Sequence, residues 1–184
     1  MRVEIARHDW SLLRSLWRED SLVLRAALLE LCEAVSETDV DLAVQRIEDE
    51  TAAQGDLSES SAAAARCLVH GTYSLNGYAL ARSLETLSVI GSVALTMLLS
   101  GAGAIAEKCL REIRIGFPAY CEILETSKSL DCGSSAVDLL LVCGLSDAGL
   151  RPVARFALQA AMDSGDLAEL GDLISASIAE LDQE

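Results

Sequence analysis

Between Glu85 and Glu107 the chain reads TLSVIGSVALTMLLSGAGAIA, twenty-one residues without a charge. About twenty apolar residues in one helix cross a bilayer core. The stretch therefore either spans a membrane or fills the middle of a helical fold. Glycine placement favours the second reading. Gly91 lies near the start of the stretch and SGAG, residues 100–103, near its end. The piece between them, Ser92 to Leu99, makes about two helical turns, too short for a span. Ser88, Ser92, Thr96 and Ser100 recur every four residues and give one mildly polar face. No Trp or Tyr lies at either end, and Arg and Lys show no one-sided excess. The expectation is a central helical pair covered by its neighbours, with no membrane span.

Composition sets the fold class. Leu and Ala dominate, aromatics make up 4%, and the two prolines are Pro118 and Pro152. Ala and Leu cost least in a helix, whereas strands favour β-branched and aromatic residues. An all-α protein is expected, either as stacked antiparallel helix pairs or as a compact multi-helix bundle. The net charge is −15 and is spread along the chain. Phosphate contacts need a basic face, so the charge argues against nucleic acid as a partner. A basic protein partner suits this field.

Trp10 and Trp17, with Leu13, predict a short amphipathic helix over 9–18. Residues 21–36 predict a second, capped by Ser21, with Leu22, Leu24, Ala27, Leu28, Leu31 and Val35 as its apolar stripe. Asp39 opens a third, with Val40, Ala43, Val44 and Ile47 inward. Residues 1–54 thus form an N-terminal helical part, 55–61 a polar loop or hinge, and 62–184 a repeat-like helical region, together one structural domain. In that region apolar runs end at Gly71, Gly91, Gly116, Gly144 and Gly171, read as helix C-caps. Turns are expected at SGAG, at DCGSS (131–135) and at DSGD (163–166).

Within residues 62–181, ALARSLETLSVIG and AIAEKCLREIRIG place alanine and leucine at helical spacing, followed by glycine and a new helix. In this the segments 79–116 and 136–171 resemble short HEAT-type α-helical repeats. The resemblance implies stacked helix pairs and an interaction surface; it carries over no functional residue.

The chemistry-bearing residues are sparse. The two histidines are His8, read as exposed, and His70, read as meeting the free carbonyls of a helix end. Cys67 and His70 are the best-spaced pair for zinc, but a site needs two more ligands. Glu30 with Glu33 and Glu122 with Glu125 lie one turn apart, without the Glu-x-x-His of di-iron bundles. The acidic EDE run lacks the alternating ligands and glycine of a calcium loop. No G-x-S-x-G occurs. Six cysteines, with no C-x-x-C and no apolar signal core in MRVEIARHDW, suit reduced thiols in the cytoplasm. Cys132 is expected to be the most exposed of them. No catalytic, cofactor or metal residue is assigned.

The expected function is a non-enzymatic helical interaction or scaffold module that binds a protein partner or a second copy. A helical domain with a small-molecule pocket is the alternative. The interaction candidates are Trp10 and Trp17, then Arg111 with Arg114 and Arg151 with Arg155, the basic pairs of the repeat-like region. Tyr73, Tyr78 and Tyr120 are candidates to line such a surface. Leu130, Leu139, Leu140, Leu141 and Val142 form a further apolar run that could face a partner.

Overall fold

The computed structural model describes residues 1–101, 103–165 and 167–183. Ala102 and Asp166, from the expected SGAG and DSGD turns, lie outside the described residues. Among those described there are ten α-helices and no strand. They are α1 (Arg2–Ile5), α2 (Leu22–Glu33), α3 (Glu37–Thr51), α4 (Glu59–Gly71), α5 (Gly77–Leu99), α6 (Gly103–Ile115), α7 (Phe117–Thr126), α8 (Leu130–Ser146), α9 (Arg151–Ser164) and α10 (Gly171–Leu181). The chain is an all-α multi-helix bundle.

Helix α5 is its axis. It packs against α3, α4, α6 and α8, burying Leu84, Leu87, Ile90 and Ala94. Around it α2 pairs with α3, α4 with α6, and α7, α9 and α10 with α8. The expected break at Gly91 does not occur: α5 runs unbroken for 23 residues. By length and composition alone it is long and apolar enough to cross a membrane. A glycine inside a helix costs about 1 kcal/mol against alanine, and here tight packing offsets that cost. A Cβ on Gly91 would lie 3.0 Å from Val142 Cγ1 of α8. The missing side chain is what lets α5 and α8 approach.

The other glycines read as C-caps also serve packing or helix starts. Gly144 lies inside α8, where a Cβ would come within 2.7 Å of Leu181 Cδ2 and 3.3 Å of Ala154 Cβ. Gly71 ends α4 without a positive φ, Gly116 precedes α7 in right-handed geometry, and Gly171 opens α10. Left-handed glycines stand instead at Gly101, after α5, with φ 86°, and at Gly165, after α9, with φ 73°, inside the predicted SGAG and DSGD turns. The DCGSS turn is absent: those residues form the first turns of α8, where Ser129 Oγ accepts from Cys132 N. Cys132 is accordingly buried, not exposed.

The N-terminal part also departs from expectation. Residues 9–18 are irregular. Asp9 Oδ1 accepts from the amide and hydroxyl of Ser11, and Ser15 Oγ accepts from Trp17 N. Such local side-chain bonds compete with helix formation. Trp10 and Trp17 therefore share no helix face. Ser21 precedes α2, but its hydroxyl donates to Leu13 O at 2.7 Å instead of capping. Val35, assigned to the apolar stripe, is 95% exposed beyond the end of α2. The next helix starts at Glu37, two residues earlier than Asp39, because Ser36 and Asp39 close a capping box. Where the polar loop enters α4, Ser58, Ser60 and Ser61 are buried, and Ser61 Oγ donates to Thr51 O at 2.6 Å.

Candidate functional site

The close approach at Gly91 and Val142 sets the floor of a groove. Residues of α5 and α8 climb together along it, so the two helices run parallel. One half is a polar cavity of about 410 Å³ lined by Tyr78, Arg82, Glu85, Ser88, Asp131 and Ser134, among others. The other half, of about 570 Å³, is leucine-rich: Leu95, Leu98, Leu99, Leu141, Val142 and Leu145 line it together with Ser92 and Thr96, and Glu180 and Gln183 come from the C-terminal end. Leu99 is 85% exposed. Asp138 lines both halves.

The charges of the groove are unbalanced. Among the described residues its one cation is Arg82, whose guanidinium meets Asp41 at 3.2 Å and pairs closely with Glu85. Tyr78 donates its hydroxyl to Asp41 Oδ1 at 2.8 Å. Asp138 is half-buried, and desolvation pushes its carboxyl above the usual range. Among the described residues no hydrogen bond or ion pair reaches it.

The sequence candidates scatter. Trp10 is 2% exposed, its indole donating to Ile5 O at 2.7 Å, so it belongs to the core and presents nothing to a partner. Trp17 is 59% exposed, with its Nε1 donating to Asp49 O at 2.8 Å. Arg111 pairs with Glu112 at 3.2 Å. Arg114 takes Glu107 at 2.7 Å and donates to Ser146 O at 2.9 Å. Arg151 opens α9 and donates to Gly144 O at 3.4 Å, while Arg155 pairs with Asp182 at 2.7 Å. These bonds tie the arginines to the protein's own acids and carbonyls. Tyr120 is fully buried; Tyr73 is exposed. Of the apolar run, Leu139 and Leu140 lie in the core, and only Leu141 and Val142 reach the groove. Both were within reach of sequence reading, but only parallel packing of α5 on α8 shows which way they face.

A second cluster escaped the sequence reading. Glu4 of α1 is buried, and Arg66 Nε of α4 lies 2.7 Å from its Oε1. The same guanidinium reaches Glu112 of α6 at 3.2 Å. Arg7 Nη1 donates to Glu4 Oε2 at 2.8 Å. Both histidines of the chain converge here, each with Nε2 3.6 Å from a Glu4 oxygen. His70 thus faces Glu4, not the carbonyls of its helix end. Desolvation alone would push Glu4 up, but Arg66, Arg7 and His70 outweigh it and hold the carboxyl below its ordinary value. Cys67 is buried, its thiol pushed up to about 12 by desolvation. Among the described residues no group of three His, Cys, Asp or Glu side chains could hold a metal ion.

His8 carries a pH prediction. Its Nε2 is buried without a hydrogen-bond partner, its ring stands edge-on to Trp10 at 5.5 Å, and burial lowers its pKa against the pull of Glu4. With a lowered folded pKa, the unfolded chain takes the proton first as pH falls through about 6.5. Stability is therefore complete above that pH and declines below it until the folded pKa is reached. His8→Phe keeps the ring and removes the titration. Urea midpoints at pH 7.5 and 5.5 should differ more for the wild type than for His8→Phe; equal differences would contradict the assignment.

No protein-family model matches the chain, and comparisons with curated proteins and with solved structures likewise found no match.

Proposed function

We propose that the protein is a non-enzymatic interaction module that binds another protein through the α5–α8 groove. One observation carries this reading: a leucine-rich trough of about 570 Å³ between two parallel helices, with Leu98 and Leu99 exposed along it. A trough that alternates leucines with Ser92, Thr96 and Asp138 suits an amphipathic partner element. The arginine pairs are poor candidates for the contact, since their guanidinium groups already serve the protein's own acids and carbonyls.

The test is a photo-crosslinking amino acid placed at Leu99 in the native cell, with one at the exposed Glu169 as control. A discrete protein adduct is expected from position 99, absent from position 169 and abolished when Leu98 is changed to Gln. Equal adducts at both positions, or none at position 99, would remove the groove as the binding face.

A further inference from the structure

We propose that the α5–α8 groove receives a basic amphipathic helix from a partner protein, its apolar face on Leu95, Leu98, Leu99 and Leu141 and a lysine or arginine on Asp138. This inference rests on the interaction reading above and adds the chemistry of the partner.

Shape comes first. From Tyr78 to Leu99 the α5 wall extends roughly 30 Å at about 1.5 Å per residue. A helix of about 18 residues has a matching length. Two parallel helices leave a trough between them into which the ridge of a third can pack. The apolar half of the trough would take leucine-sized anchors at helical spacing, as helix-in-groove recognition requires.

Charge then selects the partner. The groove and its edges carry Glu85, Asp131, Asp138 and Glu180 against the single Arg82, which is already bound by Asp41 and Glu85. The surplus is negative, in a chain whose net charge is −15. An acidic helix would meet like charge along both walls. A second copy of this chain is disfavoured for the same reason, since it brings the same net charge.

Asp138 gives the register. It stands at the junction of the polar and leucine-rich halves, half-buried and, among the described residues, without a hydrogen-bond or ion-pair partner. Burial makes its charged form costly, and a cation placed beside it would relieve that cost. An arriving ammonium or guanidinium therefore gains most at this point, provided that its neighbours on the helix are apolar.

The experiment uses the full chain and three fluorescent peptides of about 18 residues. One is a leucine/lysine amphipathic helix, one a leucine/glutamate helix of the same pattern, and one a lysine peptide with its leucines scattered around the helix. Anisotropy is read at low and moderate salt. The amphipathic lysine helix should bind best and weaken as salt rises. Asp138→Asn should weaken it about two- to fivefold. The exposed pair Leu98→Gln with Leu99→Gln should weaken it at least as much, while Glu169→Gln, outside the groove, should not.

Equal losses from Asp138→Asn and Glu169→Gln would mean general attraction to an acidic surface and would overturn the proposal. A preference for the glutamate helix would overturn it too. So would a dimer in light scattering that Leu98→Gln with Leu99→Gln dissolves, since the groove would then belong to a second copy. A crosslink at position 99 to a partner with no basic helix rejects the basic helix and leaves the interaction reading standing. The absence of any crosslink there removes both.

Discussion

Gly116→Ala should destabilise the protein by about 3 kcal/mol, because a single added methyl group would collide with the most deeply buried aromatic ring. Gly116 joins α6 to α7, and Tyr120, one turn later, folds back over it. A Cβ at Gly116 would fall 2.3 Å from Tyr120 Oη and 2.5 Å from Cζ. The ring is fully buried and its hydroxyl donates to Ile113 O at 3.1 Å. Overpacking costs about 1–3 kcal/mol. Pushing the ring aside also orphans a buried hydroxyl, at about 1–3 kcal/mol. In a chain of this size the melting temperature should fall by roughly 6–12 °C. Tyr120→Leu removes the clash as well as the ring, so the double variant should lose less than the two single losses added together. Additive losses in a denaturation cycle would show that the two positions do not act through one contact.

Arg66→Met should cost about 2 kcal/mol, less than the loss of a fully buried ion pair, since the partly exposed guanidinium leaves two buried carboxylates short of a partner. Two partners are stranded here: Glu4 and Glu112 both lie buried against the one guanidinium. Arg7 and Arg111 stay in place and soften the loss. The pH dependence follows from the direction of the Glu4 shift. A carboxyl held below its ordinary pKa contributes its stability in full above that value and loses it as pH falls through the folded pKa. The gap between wild type and Arg66→Met should therefore be widest near neutrality, begin to narrow below about pH 4.5 and close only below the lowered folded pKa of Glu4. Glu4→Gln in the Arg66→Met background should recover part of the loss. A gap that is constant with pH would mean that the methionine acts through packing alone. Hydrogen exchange should also locate the effect, with the amides of α1 and of residues 9–20 opening first.

Helix content was legible along the chain wherever periodicity and capping agree. The stripes of α2 and α3 were placed within two or three residues of their limits, and the inward set Val40, Ala43, Val44 and Ile47 is buried as expected. Legibility failed at glycine. A glycine after an apolar run looks the same whether it ends a helix or lets another helix approach. Gly165 does the first; Gly91 and Gly144 do the second. Tryptophan gave the same ambiguity, for the spacing of Trp10 and Trp17 suits a helix that local Asp9 and Ser15 bonds prevent.

Local information was enough for the all-α class, the acidity and the approximate helices, because propensity, capping and hydrophobic period act between residues a few positions apart. The site was decided at longer range. Asp138 has an ordinary helical setting in sequence, and only the parallel packing of α5 on α8 leaves it, among the described residues, unpartnered at the junction of a polar and a leucine-rich trough. Glu4, Arg66 and Glu112 come from three different helices. Burial and the pairing of charges depend on which distant segments meet, and a contact of that kind leaves no period in the chain.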